Sequence, residues 1–438
     1  MIINSNIVGI IADDLTGAND TALQFKLNGA DTNILLNNNI ESNQNCPCQA
    51  WAISTESRNG TPQDAFEKVK EASQLFVDKL SPDFFYKKID STVRGNIAVE
   101  VLSMLEVLGW DASVIIPAFP QEGRITVGGY HLLRGIPIER TEMARDPHSP
   151  ITESHLPTLL KSQLGENLAE LVDVIELKTI LDGAGPILMK MNELISQGKR
   201  IIIADSVSIT DIEQIVLAMQ KSNYNILPVG TAATAKVLSN QWFPPEDLEV
   251  LSVRLPKLPK FIVSGSATNI TANQIEKFEQ SEDYEENSLV IELDLNTVLG
   301  GVKDELVNRI VSNLGNDNIV LVHTSKLLLN FDGFSEDNAS ADLTKAKLAS
   351  AITDFLADLT KQVLAKKSAI LITLGGETSY KCCNAVGANQ LQLIDEVLPA
   401  IALGKSVNSN QWIVTKSGNL GGGNTLIEIL KYFEKHED

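Results

Sequence analysis

Two adjacent carboxylates, Asp13 and Asp14, end the apolar run that begins at Val8, and Thr16-Gly17 follow them. In an open α/β sheet such a junction is the carboxyl tip of a strand, where ligands bind. Side-by-side acids repel, so the pair needs a cation, a metal-bound phosphate or a substrate hydroxyl beside it. The plainer alternative is that one acid caps the next helix and the other is solvated. A second concentration of chemistry runs from Lys87 through Lys88, Asp90, Ser91, Thr92 and Arg94 to Asn96. Arg94 offers a planar fork suited to a carboxylate or phosphate. Lys88 offers a point charge, and Ser91, Thr92 and Asn96 offer hydrogen bonds to hydroxyls. The competing reading is an ion-paired helix start, capped by Ser91 or Thr92, with Asp90 paired to Arg94. A cap alone leaves two cations unexplained.

The second half of the chain carries glycine instead of acid at its strand ends. Ser264-Gly265-Ser266 precedes a helix, Gly375-Gly376-Glu377-Thr378 ends a buried run, and Lys416-Ser-Gly418-Asn419 ends another. Such loops present backbone N–H groups to an anion, and Lys416 adds a charge. None has the P-loop spacing or the dinucleotide fingerprint. The cradle therefore rests on glycine placement, and a dehydrogenase lacks its usual signature.

The elements that position these groups alternate between strand and helix. That pattern predicts an α/β protein of two domains, each a mainly parallel sheet flanked by helices. Strands are expected at Thr32–Leu36, Trp51–Ser54, Ala112–Ile116 and Arg200–Ala204, with another entered at Phe84. Helices are expected at Asp20–Leu27 and Pro62–Asp78. Pro117 to Tyr130 reads as a structured loop because of its prolines and glycines, and Thr141 to Pro150 as a second. The first domain, residues 1–238, is expected to close near Leu238, after the Pro228–Ala233 segment. Residues 239–260 hold Pro244, Pro245, Pro256 and Pro259 and read as a linker to a domain of residues 261–438. There, strands are expected from Phe261 and at Leu289–Leu293, Asn318–Val322, Ala369–Thr373 and Gln411–Thr415. Helices are expected from Thr271, over Ala339–Lys366 and over Thr425–Lys435.

Composition narrows the classes. A length of 438 residues exceeds what one core usually serves. A net charge of −20 without a basic segment argues against a nucleic-acid partner, though not against a small anion in a cleft. Cys46, Cys48, Cys382 and Cys383 lack zinc-site spacing and read as reduced thiols. The first residues lack the basic start and small-residue cleavage site expected of a secretory leader, and no apolar run nears the ~20 residues a bilayer demands. A cytoplasmic protein with no membrane partner is expected. His148 and His155 read as loop histidines outside the catalytic set.

Five blocks, Ile11–Asp20, Lys87–Asn96, Pro117–Pro120, Gly375–Ser379 and Lys416–Asn419, occur in the order seen in the four-carbon acid sugar kinases. The chain resembles that family, which includes threonate, erythronate and 3-oxo-tetronate kinases, from about residue 7 to about residue 433. Leu15 and Leu420 stand where the family more often has Phe, and the last loop carries extra glycines at Gly421–Gly423.

The resemblance implies a sugar-acid-binding first domain, a nucleotide-binding second domain and a reaction in the cleft between them. It implies transfer of the γ-phosphoryl group of ATP, with Mg²⁺, to the terminal hydroxyl of a tetronate. Nucleotide contacts would fall on Ser266 or Ser264, on Gly375, Gly376, Glu377 and Thr378, and on Gly418. Lys416 would offset phosphate charge and Glu377 would help hold Mg²⁺. Arg94, helped by Lys88 and Ser91 and grouped with Arg58, would hold the substrate carboxylate. Asp14 would accept the hydroxyl proton, Asp13 would orient it, and Asp90 is the second candidate base. The rival from another class is a non-catalytic sugar-acid-binding regulatory protein. The choice of tetronate stays open, and so does oligomeric state, a homo-oligomer included.

Overall fold

Runs such as Val8–Ala12, Ala112–Ile116 and Ile201–Ala204 are wholly buried in a computed structural model of the chain, as continuous apolar strands of a parallel sheet must be. Residues 6–40, 48–146, 149–244, 254–284, 286–315, 318–329 and 344–437 are described. Cys46, Pro147, His148, Pro245, part of the expected linker and the start of the expected helix at Ala339 lie outside them. By contacts the chain divides into two units, Met1–Asn38 with Gln44–Leu248 and Asn39–Asn43 with Glu249–Asp438.

Unit 1 is built on eight parallel strands. In chain order they are β1 (Val8–Ala12), β2 (Thr32–Leu35), β3 (Ala50–Ser54), β4 (Phe84–Lys88) and β5 (Ala112–Ile116). After a small antiparallel sheet of β6 (Arg124–Val127), β7 (Tyr130–Leu133) and β8 (Ile136–Pro137) come β9 (Val172–Ile175), β10 (Ile201–Ala204) and β11 (Ile226–Gly230). The main order is β2-β3-β1-β4-β11-β5-β10-β9. The chain fills one side of β1 with β2 and β3 and then crosses to β4 on the other side. The carboxyl ends of β1 and β4 are thus a topological switch point, the position where open sheets bind ligands.

Unit 2 repeats the logic. Its strands are β12 (Lys260–Ser264), β13 (Ser288–Glu292), β14 (Ile319–His323), β15 (Ile370–Leu374), β16 (Gln390–Leu398), β17 (Ile401–Ser406) and β18 (Trp412–Lys416). They lie in the order β13-β14-β12-β15-β18-β17-β16, parallel except for β16 and β17. Its switch point falls between β12 and β15. One face packs Ile262, Leu321, Ile372 and Val414 against Ile275 and Phe278 of one helix and Leu426, Ile429 and Phe433 of another.

Two expectations need correction, and one strand had no expectation. The first helix begins at Leu15, not Asp20, because Asp14 caps it and Thr16-Gly17 lie in its first turn. The segment Pro117–Tyr130 is not all loop: it supplies β6 and the start of β7, whose short hairpin turns on Gly128-Gly129. Pro228–Gly230 belongs to β11, an interior strand whose Pro228 pairs with Val114. No helix among the described residues is long and apolar enough to cross a membrane. Cys48, Cys382 and Cys383 form no disulfide among the described residues.

Candidate functional site

At the β1 tip the offsetting cation is internal. Arg58, four residues past β3, donates from Nε and Nη2 to the two oxygens of Asp13 at 2.7 and 3.0 Å, and from Nη1 to Asp14 Oδ2 at 2.6 Å. Asp14 Oδ1 accepts from the Gly17 N–H at 2.8 Å. Burial alone would raise Asp13, but the Arg58 charge and hydrogen bonds outweigh it and hold Asp13 below the usual carboxylate range. The same burial would lower Arg58; Asp13, Asp14 and Asp90 instead hold its pKa well above the ordinary value. Gly17 permits this closeness, since a Cβ there would sit 2.7 Å from Asp14 Oδ1 and 2.9 Å from Lys88 Nζ.

The β4 tip is a second charge-locked turn. Asp90 accepts from Arg94 Nε at 2.8 Å and Nη2 at 3.1 Å, and from the Thr92 hydroxyl, while Arg94 Nη1 reaches Asp146 at 2.8 Å. Arg58 Nη2 lies 3.7 Å from Asp90 and joins the two tips. Against burial, Arg94 and Arg58 keep Asp90 well below the usual range. Val93 adopts φ 58°, a left-handed conformation unusual for a β-branched residue. The ion-paired helix start therefore describes Asp90 and Arg94 well, and Arg94 has no fork left over for a ligand in this arrangement.

What remains available differs from the expected set. Lys88 is buried and its Nζ makes one hydrogen bond among the described residues, 2.8 Å to the Ile89 carbonyl, so donors are left over there. The Ser91 hydroxyl makes no hydrogen bond among the described residues; its carbonyl meets His131 Nε2 at 2.9 Å. Burial pushes His131 down to about 4, so this imidazole is neutral near pH 7. Lys87, on the opposite face from Lys88, is spent on Glu100 at 2.7 Å in a fully buried pair. Glu56 flanks Asp14: its Oε1 accepts from the Leu15 N–H at 2.9 Å and from Ser54 Oγ at 2.6 Å.

Unit 2 gathers its glycines at one edge. Ser264 is in register with Leu374 and with His323, and Leu374 with Lys416, so these side chains share one face. Lys416 is buried, donates 2.9 Å to the Ser417 carbonyl, and has no carboxylate partner among the described residues. Burial pulls its pKa down to about 8. Ser264 Oγ and His323 Nε2 are buried without a hydrogen-bond partner among the described residues. The Ser417–Asn424 loop is pinned by Thr268 and Thr271, which donate to the Gly418 carbonyl at 2.7 and 2.9 Å, and by Gln274 to the Leu420 and Gly422 carbonyls. Gly375, at φ 118°, bonds the Lys416 carbonyl at 2.8 Å and opens the helix Gly376–Ala385. A Cβ on Gly265 would lie 2.6 Å from Thr378 Oγ1, and one on Gly418 would overlap Ser266 Oγ.

Glu377 does not suit a metal ligand as it stands. Its Oε1 accepts from Thr353 at 3.1 Å and pairs with Lys381 at 3.2 Å. Asp13, Asp14, Asp90, Arg58, Arg94, Lys88 and Ser91 therefore belong to one edge of unit 1. Ser264, Ser266, Gly375–Thr378, Lys416 and Gly418 belong to one edge of unit 2. Sequence reasoning gave no role to Glu56, Lys87, Glu100, His131 or His323. Glu56, Lys87 and His323 stood in view at polar strand ends, whereas Glu100 and His131 had no local signal.

Known proteins match this arrangement along nearly the whole chain. A family model described as a sugar-binding N-terminal domain matches residues 8–238, and one described as a nucleotide-binding C-terminal domain matches residues 261–426. A D-erythronate kinase of Heliobacterium modesticaldum is 29% identical over 437 residues, 98% of this chain and 97% of the relative. A D-threonate kinase of Salmonella typhimurium is 27% identical over 440 residues, 97% of this chain and 98% of the relative. A crystal structure of a Haemophilus influenzae protein shares the fold with a TM-score of 0.73 at 23% identity, covering 97% of this chain and all (100%) of that one.

Proposed function

Because this chain belongs to the four-carbon acid sugar kinase family, we propose that it transfers the γ-phosphoryl group of ATP to the terminal hydroxyl of a four-carbon sugar acid. The observation that carries the reading is Lys416, a buried ammonium with no carboxylate partner among the described residues, at a strand end lined by glycine. A buried cation is costly unless something anionic meets it. The backbone N–H groups opening the helix Gly376–Ala385 add donors of the kind that hold phosphate.

Phosphoryl transfer asks for positioning and charge neutralisation more than covalent chemistry. Unit 2 would hold the triphosphate through Lys416, Ser266, Gly418 and the Gly375–Thr378 turn. Unit 1 would hold the acid through the spare donors of Lys88 and the Ser91 hydroxyl, with Arg58 contributing charge while clamped by its aspartates. Mg²⁺ would arrive on the triphosphate, as part of the nucleotide substrate. The test is incubation with ATP, Mg²⁺ and a panel of threonate, erythronate and 3-oxo-tetronate, reading ADP release and the phosphorylated product. Acid-dependent ADP release is expected with at least one member. Tight binding of an acid with no ADP release would replace the kinase by a sugar-acid-binding regulator.

A further inference from the structure

We propose that Glu56 is the general base that takes the proton from the attacking hydroxyl. This rests on the kinase reading and assigns a role within the same unit 1 site.

A base needs a carboxylate oxygen free to face the hydroxyl and a proton affinity near the working pH. The three aspartates fail the first requirement. Both oxygens of Asp13 are on Arg58, those of Asp14 are on Arg58 and the Gly17 N–H, and those of Asp90 are on Arg94 and Thr92. Asp13 and Asp90 fail the second as well, being held below the usual carboxylate range by arginine. Glu56 spends only Oε1, on the Leu15 N–H and Ser54. Its Oε2 has no hydrogen bond among the described residues, and the residue is half-buried, so that oxygen is reachable.

The groups facing Glu56 set its proton affinity. Asp14 at the helix start repels its charge, while Arg58, Ser54 and the Leu15 N–H favour it. From the helix Pro62–Lys79, Lys68 bonds the Glu56 backbone carbonyl at 2.8 Å. Burial, then Asp14, dominate and raise the carboxyl to about 7. The backbone supports a directed side chain, since Glu56 is left-handed at φ 46°. That turn also brings the Ser57 and Arg58 N–H groups onto the Asp13 carbonyl, at 3.0 and 3.3 Å. A second feature beside it points to a ligand: the buried Lys88 ammonium, with spare donors, borders Asp14 across Gly17.

The step balances. The hydroxyl O–H bond breaks and its proton passes to Glu56 Oε2. The oxygen's electron pair forms the new O–P bond to the γ-phosphorus. The bond from that phosphorus to the β–γ bridging oxygen breaks, its electrons leaving on ADP. Glu56 then returns the proton to water.

The test compares wild type, Glu56→Gln and Glu56→Asp with MgATP and the sugar acid found above, over pH 5.5 to 9. Gln preserves an acceptor for Leu15 and Ser54 and removes the base. The expected result is a wild-type kcat that falls below about pH 7. In E56Q, kcat should be at least about 100-fold lower, within the usual span of general-base effects. Its acidic limb should be gone and its KM for ATP should lie within about threefold of wild type. E56D should retain a limb with reduced kcat. An E56Q variant that keeps kcat within tenfold, with the limb intact, overturns the assignment. If E56Q does not fold, E56D decides, and full activity without a limb overturns the assignment. A wild type that turns over no acid in the panel defeats the kinase reading itself, a result distinct from an active wild type with an active E56Q.

Discussion

Replacing Glu56 by Gln should stabilise the protein above pH 7. In the folded chain the carboxyl is raised from an ordinary 4.5 to about 7 by burial and by Asp14. Its folded pKa lies above its unfolded one, so the stability it contributes is full below about 4.5 and is lost as pH rises through 7. Holding the ionised form at pH 8 costs about 3 kcal/mol from that displacement. Water reaching the half-buried group reduces this, leaving about 1–3 kcal/mol. Gln escapes the cost while still accepting from Leu15 and Ser54. Urea unfolding followed by tryptophan fluorescence is weighted to unit 1, where Trp51, Trp110 and Trp242 lie. The variant-minus-wild-type difference should move in favour of E56Q by about 1–3 kcal/mol between pH 5 and pH 8. A difference that is flat in pH, or one that favours wild type more strongly at pH 8, would refute both the electrostatic account and the claim that Glu56 is kept for chemistry.

Lys87→Met should cost about 3–5 kcal/mol at pH 8, because Glu100 is left as a buried acid without its 2.7 Å partner. The loss should shrink at pH 5, where Glu100, already raised by burial, takes up a proton, and urea midpoints at the two pH values would show it. Arg58→Lys removes the fork shared by Asp13 and Asp14. Asp13 and Asp90 are depressed in the folded chain, so they contribute stability above their unfolded pKa that is lost as pH falls. Acid unfolding followed by circular dichroism should therefore begin at higher pH in the variant. Lys416→Met should weaken ADP binding at least about tenfold by calorimetry. Wild-type affinity should fall above pH 8 as Lys416 loses its proton, and the variant should be flat over the same range.

The legible parts of the fold were those with unambiguous period and punctuation. Ala112–Ile116, the helix from Pro62, and the final helix from Thr425 read directly from apolar runs and their spacing. Glycine and proline misled wherever tertiary context overrode them. Gly128-Gly129 turn a hairpin that read as loop, and Gly17 lies in a first helical turn. At the site, residue types were legible and pairings were not. Nothing local says that Arg58, 45 residues from Asp13, reaches back to clamp it. The antiparallel pair β16 and β17 carried no signal that separates it from a parallel strand.

That clamp changes what the acidic pair at the β1 tip is for. Two aspartates whose oxygens are taken by one guanidinium and one helix N–H are poor proton acceptors and good anchors. They fix Arg58, and Arg58 in turn approaches Asp90, so the tips of β1 and β4 are held in register by charge where the backbone has already left the sheet. Such a lattice has a cost, since Asp13 and Asp90 are buried, Asp14 and Arg58 are partly so, and removing one strands the others. It also has a use: arginine holds Asp13 and Asp90 below the usual carboxylate range, and the clamp fixes Asp14 in place beside Glu56, whose carboxyl its charge helps raise. The acids that look catalytic in the sequence would then tune the one that is.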